Sequence, residues 1–471
     1  MLITFVVLYL VVSLGVGLYA ARQVHGARDY ITASRHLPFP VVMAMVFATW
    51  FGSETVLGIS ATFLDEGFRG LISDPLGASV CLILFGLIFA RPLYRMNLLT
   101  LGDFFRIRYS RNVELVVSLC IVVSYLGWVA AQITALGLVF NVLSADAISM
   151  NQGMLIGMGV VMIYTVFGGM WSVAVTTFLQ MIIIIVGLLL VSAEAASQAG
   201  GVANVIGKAA AEGKFEWLPT LDPLDLLGWT AALLTMALGS IPQQDVFQRV
   251  NSSKSESIAV WSTTLGGVAY FFFAAVPLFL AYSANLIDPA MVARLKEDSQ
   301  LILPTLVLER MPVALQIVFF GALLSVIMST ASGTLLAPSV TFAENVLKPF
   351  MPNLQDHQFL TLTRVIVACF ACIVTGYAIA TDATIHTMVE HAYRITLAGA
   401  FVPLVAGLFW KRATTQGAAA SLVLGLGTWL LLEFLGIEEP VEPQLIGLVA
   451  SAIGMVVGSL ASKPAAAIKT A

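Results

Sequence analysis

Charge is what this sequence has least of. Of its 471 residues only 11% are Asp, Glu, Lys or Arg, whereas a soluble domain carries about 25%. A water-soluble enzyme of this size is excluded, because so few charges cannot cover its surface. Cysteine and histidine are scarce too, at four and five. Cys81, Cys120, Cys369 and Cys372 all lie in apolar runs. Cys369 and Cys372 form a C-x-x-C without the strand and helix that redox work needs, so all four read as small buried hydrophobes. The histidines are scattered, and the chain shows no metal-ligand cluster, nucleophile constellation or phosphate loop, which speaks against an enzyme. The net charge of −4 makes nucleic acid an unexpected partner. Disorder, which needs low hydrophobicity, is excluded as well.

Apolar residues make up 59% of the chain, with a mean hydropathy of +0.93. A membrane-spanning helix needs about 20 mostly apolar residues. The runs that qualify lie near 2–21, 38–62, 72–95, 113–143, 150–169, 172–195, 225–245, 258–284, 312–346, 358–381, 383–410, 415–436 and 443–462. The reading is an all-α membrane protein of about 13 transmembrane helices in a single domain, residues 1–471. The first run lacks a basic leader, and its positive charges follow it, at Arg22, Arg28 and Arg35. It therefore reads as a retained span with the amino terminus outside. On that topology 16 of the 23 Lys and Arg residues fall on the inner side, six on the outer, and Arg394 within a span. This sets the carboxyl terminus in the cytoplasm and the protein in the plasma (inner) membrane, with the lipid bilayer as its partner.

Two runs carry helix-breaking residues beside polar ones. The second contains Phe51-Gly52-Ser53-Glu54, and the seventh contains Gly239-Ser240-Ile241-Pro242-Gln243-Gln244-Asp245. Gly/Ser pairs and Pro kink helices, and paired broken helices at corresponding positions of two halves mark the solute and ion site of transporters. The five-span separation predicts inverted repeats of five plus five helices, about 38–195 and 225–410. The spans 2–21, 415–436 and 443–462 stand outside them. The ninth run adds Ser325, Ser329, Thr330, Ser332 and Thr334, five hydroxyls within ten residues. They either satisfy themselves on their own helix or supply oxygens to sodium beside a broken helix.

Glu54 is the least expected charge, since a carboxylate at membrane depth costs about 2.5 kcal/mol or more. Three readings stay open: it holds a substrate amine, carries a proton, or pairs with Arg394. Glu390 and Arg394, spaced i,i+4, form either an outer gate or a structural ion pair. Asp74 and Asp245 flank the proposed site. Gln132 and Gln243 are candidates to hydrogen-bond a substrate, and Gln244 is placed with them. Arg106, Arg108 and Arg111 read as topology signals.

At these residues the chain resembles the sodium:solute symporter family along essentially its whole length. The resemblance is carried by Asp29-Tyr30 with Ser34-Arg35, Thr100-Leu101-Gly102-Asp103-Phe104-Phe105, Tyr164-Thr165 through Gly168-Gly169 to Gln180, Phe247-Gln248-Arg249-Val250, Met328-Ser329-Thr330, and Phe409-Trp410-Lys411-Arg412-Ala413-Thr414 to Gly417. It is similar above all to the high-affinity choline branch, through Ile241-Pro242 to Val250 and Leu301-Ile302-Leu303-Pro304. The resemblance implies a LeuT-like fold and sodium-coupled symport. It also implies a sodium site of the Ala48, Phe51 and Val326 carbonyls with the Ser329 and Thr330 hydroxyls. Thr177 stands where many members carry an acidic residue linked to a second sodium, so one sodium is implied. Trp50 and Trp128 match the choline branch's aromatic cage, but Gln243 and Ala78 stand at its other positions, which implies a different substrate. The full expectation is a sodium-coupled importer of an amine, amino acid or other zwitterion, bound by Trp50, Glu54, Asp74, Trp128, Gln132, Gln243 and Gln244. Its alternatives are a solute sensor of transporter shape and proton coupling through Glu54.

Overall fold

The computed structural model describes residues 2–381, 383, 385–437 and 441–462, of which 386, 387, 390 and 391 are described as backbone only. Regular structure among them is helical, with one isolated bridge between Leu37 and Ser253. That is the only open-ended solution in lipid, where a helix satisfies its own backbone. The main elements are α1 (Leu2–Ala20), α2 (Phe39–Phe47), α3 (Arg111–Leu143), α4 (Met150–Gln198), α5 (Pro223–Gly239), α6 (Gln244–Asn251), α7 (Glu256–Phe273), α8 (Val313–Thr341), α9 (Ile385–Thr396), α10 (Thr415–Phe434) and α11 (Pro443–Ala461).

Among the described residues, length and composition qualify ten helices as spans, or eleven if α5 and α6, bent by 45°, count as one. The expectation of 13 is not met by that measure. The difference arises where the chain reverses on one residue without losing its helical hydrogen bonding. The runs 150–169 and 172–195 merge into the 49-residue α4, and Glu54–Arg95 is one helical stretch.

Gly169 shows how such a reversal works. It holds φ +49°, ψ −134° in the middle of α4, a conformation open to glycine, and a Cβ there would collide with the Tyr30 carbonyl oxygen. The two arms of α4 lie along the same face of α1 in opposite directions. Near the turn, Gly17 packs on Tyr164 of the first arm and accepts a hydrogen bond from Ser172 of the second. Far from it, Ile156 and Val160 share an apolar groove with Val6 and Leu10. On the other arm Gly187 packs on Ala322, next to Gly321, which touches Phe5.

Helix α8 runs through the centre and is buried at every residue from Phe319 to Thr341. Helix starts carry their expected caps: Ser110 for α3, the Ser149/Gln152 box for α4, Asp222 ahead of Pro223 for α5, and Ser255 for α7. Helices α10 and α11 close on each other through glycines. A Cβ on Gly454 would sit 2.6 Å from the Ala420 oxygen, and one on Gly425 would meet the Ala398 oxygen. The exposed face of the bundle is a belt of Leu, Ile, Val and Phe, as a lipid-facing surface requires.

Gly169→Ala is expected to destabilise by about 2 kcal/mol or more, from a strained φ and the clash with Tyr30. Gly159→Ala, where a Cβ meets nothing within 4 Å, is the neutral control. Thermal unfolding of the two variants in detergent checks the pair.

Candidate functional site

The first break follows α2. Its helix stops at Phe47, passes through irregular backbone at 48–52, and resumes as a wide turn at Glu54–Gly58. Carbonyls freed in this way need donors, and two threonines provide them. Thr55 Oγ1 donates to the Trp50 carbonyl at 2.7 Å. Thr330 Oγ1, from α8, donates to the Ala48 carbonyl at 3.1 Å and approaches that of Phe51 at 3.4 Å. One residue earlier, Ser329 Oγ donates to the Val326 carbonyl at 2.8 Å. Three of the five residues expected around sodium, Ala48, Phe51 and Thr330, thus meet where the backbone beyond α2 crosses α8. Most other hydroxyls of α8 bond within their own helix, as Thr334 does to Thr330.

The second break separates α5 from α6. Thr396 of α9 donates to the Gly239 carbonyl at 2.7 Å, and Gln243 reaches Thr396 and Ser124, each at 3.3 Å. Gln243 therefore braces the break between α3 and α9. Gln244 does not join it. Its Oε1 accepts from the Leu101 amide at 2.8 Å, which ties α6 to the short helix Leu101–Arg108. Its Nε2 is buried without a hydrogen-bond partner among the described residues.

Glu54 is 2% exposed and is held by two donors of α3. Gln132 Nε2 donates to Oε2 at 2.7 Å, and Trp128 Nε1 to Oε1 at 3.2 Å. Gln132 also accepts from the Ser53 amide at 3.1 Å, so one amide fixes both the carboxylate and the backbone leading to it. Arg394 reaches Glu433 at 3.4 Å. The donors described at Glu54 are thus the neutral Trp128 and Gln132 of α3. The side chain of Glu390 lies outside the described residues, so the proposed gate is seen only from Arg394.

Beside Glu54, Tyr270 of α7 donates to Asp74 and stands 3.1 Å from Thr55 Oγ1. Asp74, Tyr270, Thr55 and the Trp50 carbonyl thus form one chain of polar contacts into the first break. Trp128 stacks on Tyr125 at 5.7 Å between centroids and meets Tyr393 edge-on at 5.6 Å. Glu54, Asp74, Thr235, Met236 and Tyr393 border a cavity of about 20 Å³, space for about one water. A small organic solute does not fit in this conformation, so admitting one requires the helices around the cavity to part.

The opposite side of the breaks is sealed. Arg249 of α6, 1% exposed, donates from Nη1 to the Met45 carbonyl at 2.7 Å and to Thr49. Tyr125 donates to Asp245 at 2.5 Å. Gln248 reaches the Ile31 carbonyl, Arg35 reaches Asn251, and Leu37 pairs with Ser252. The segment before α2 is thereby clamped to α6. Arg108 donates to the carbonyls of Gly407 and Ala413 at 3.0 and 2.9 Å. Arg106 and Arg111 flank the fully buried Glu114. These arginines do structural work beyond setting topology. Tyr125, Tyr270, Tyr393 and Arg249 went unmarked as site residues because a tyrosine in an apolar run reads as packing. A signal existed in Arg249, an arginine inside a quoted motif one helical turn after Asp245.

Thr177 Oγ1 and both polar atoms of Gln180 are buried without hydrogen-bond partners among the described residues. A group of three or more His, Cys, Asp or Glu able to hold a metal is absent among the described residues.

A profile of the sodium:solute symporter family matches residues 30–425. The chain is similar to the high affinity choline transporter 1 of Homo sapiens, 30% identical over 450 residues that cover 90% of this chain and 75% of that protein. It is also similar to the high-affinity proline transporter of Bacillus subtilis, 24% identical with 93% and 94% covered. In fold it resembles a Na+-coupled sialic acid symporter in a substrate-bound outward-open state, with TM-score 0.83, 18% identity and 99% of both chains covered. It also resembles the nucleobase-cation-symport-1 family transporter Mhp1 in a closed conformation, with TM-score 0.60, 12% identity and 92% and 94% covered. With two broken helices at its core and that match over most of its length, the chain belongs to the sodium:solute symporter family and is a transmembrane sodium symporter.

Proposed function

We propose that the protein is a sodium-coupled secondary active importer of a small organic solute bearing an amine, working by alternating access. The observation that carries this reading is the crossing where Thr330 meets the freed carbonyls of Ala48 and Phe51. Sodium there would replace the hydroxyl hydrogen bonds with direct oxygen contacts, joined by Val326 and Ser329, and so lock the first break to α8. The solute is held next to it by Glu54, Trp50, Trp128 and Gln132, with Gln243 positioning the second break. Arg394 is the described half of the outer gate. Counting each arm of α4 as a span, and dividing the stretch around Glu54–Arg95 at Gly67, gives 13 spans. Spans two to six and seven to eleven then form the five-plus-five repeat, the amino terminus lies outside and the carboxyl terminus in the cytoplasm. Support comes from the positive φ of both Gly67 and Gly169 and from the bias of Lys and Arg. One net charge crossing 100 mV supplies about 2.3 kcal/mol, roughly 40-fold accumulation.

Proton coupling through Glu54 is the second reading. The buried carboxylate favours it, because its described partners are neutral. Uptake by Glu54→Gln across pH separates the readings. An amine site loses substrate affinity and keeps its pH profile, whereas a proton carrier loses the pH dependence.

Ser329→Ala with Thr330→Ala is expected to abolish sodium stimulation of uptake in proteoliposomes, and sodium-driven uptake at unchanged sodium affinity would refute the site. Arg249→Gln is expected to loosen the inner seal. In that variant, labelling of a cysteine placed at Thr49 by a membrane-impermeant reagent from the inner side should rise severalfold; unchanged labelling would show that Arg249 does not hold the seal.

A further inference from the structure

The cavity beside the first break is bordered by two carboxylates, Glu54 and Asp74, on different helical segments. Both are buried, at 2% and 8% exposure. Neither makes a salt bridge among the described residues, and the cavity's described lining contains no Lys, Arg or His. All their described side-chain donors are neutral: Trp128 and Gln132 for Glu54, Tyr270 for Asp74. Each carboxylate oxygen accepts two hydrogen bonds, so both groups keep acceptor capacity. Asp74 Oδ2 is not engaged by any described residue. Tyr393, 2% exposed, also borders this cavity, and its hydroxyl has no well-formed hydrogen bond among the described residues.

Two buried carboxylates face one small space without a cation between them among the described residues, and positive charge bound there lets both ionise. A solute with a carboxylate adds a third carboxyl group where no basic side chain among the described residues meets it. A quaternary ammonium brings charge but no N–H donor for the open acceptor positions. A single ammonium satisfies one carboxylate and leaves the other.

We propose that this site takes a short α,ω-diamine, one ammonium on Glu54 and the other on Asp74, with Tyr393 closing over the second. The inference rests on the transport reading above and narrows its solute to a dication without a carboxylate.

The test uses the full-length protein in liposomes with an inward sodium gradient and radiolabelled 1,4-diaminobutane. Saturable, sodium-dependent accumulation is expected. Competition by n-butylamine should be weaker by about tenfold or more, the worth of a charged hydrogen bond, and choline and 4-aminobutyrate should not compete. Asp74→Asn should weaken the diamine about tenfold and leave butylamine unchanged, whereas Glu54→Gln should weaken both. A cooperative thermal melt shows that each variant is folded. Equal affinity for diamine and monoamine, or an equal effect of Asp74→Asn on both, overturns the proposal. So does failure of the folded protein to bind diamine. Sodium-driven accumulation of choline or 4-aminobutyrate instead would overturn the diamine assignment and leave symport standing. Diamine binding that Glu54→Gln abolishes, without sodium-driven uptake, would leave the site standing and overturn symport.

Discussion

Everything in this structure depends on how a broken helix is satisfied inside a bilayer. In hydrocarbon an unpaired carbonyl costs several kcal/mol, so irregular backbone persists only where other parts of the protein serve it. At the first break the partners are Thr55 for the Trp50 carbonyl and Thr330 for those of Ala48 and Phe51. At the second it is Thr396 for Gly239. These hydroxyls come from different helices. Each is a neutral donor that can turn away, which a backbone amide cannot do. The break is thereby stable without an ion and still has oxygen to offer one.

The same requirement explains the arrangement around Glu54. A carboxylate at depth stabilises itself by collecting donors. Gln132 supplies one to the side chain and accepts from the Ser53 amide, so α3 reads the position of the break through a single residue. Trp128 adds the second donor and stacks on Tyr125, which in turn holds Asp245 just past the other break. A continuous line of contacts therefore joins the two interruptions through α3. The contacts of Arg249 lie at one end of that line and the small cavity beside Glu54 at the other.

The architecture was largely legible in the sequence. Apolar runs, Gly/Ser and Pro at two points, and a dense hydroxyl run located the breaks and the helix that meets the first of them, because each is a strong local signal. Ala48, Phe51 and Thr330 came through the resemblance and do meet. What remained illegible was relational. Gln244 and Gln243 are neighbours with like side chains, and only the angle of the break decides that one reaches Leu101 and the other Thr396. The sequence left Glu54 with three readings, and that Trp128 and Gln132 of α3 donate to it could not be read from the spans. Tyr270 and Tyr393 carried no mark of their polar role, since a ring in an apolar run packs equally well without one.

The glycine contacts at the end of the bundle have a mechanical meaning. Helices α10 and α11 touch backbone to backbone, and Gly425 rests directly on the Ala398 carbonyl, two residues beyond Thr396. Contact of that kind has no side chain between the surfaces to absorb a shift. The stretch that carries Tyr393 and Thr396 is consequently geared to the terminal pair. A tilt that opens the cavity must either carry α10 and α11 with it or part them at Gly425, so those two helices act as a counterweight to the moving wall.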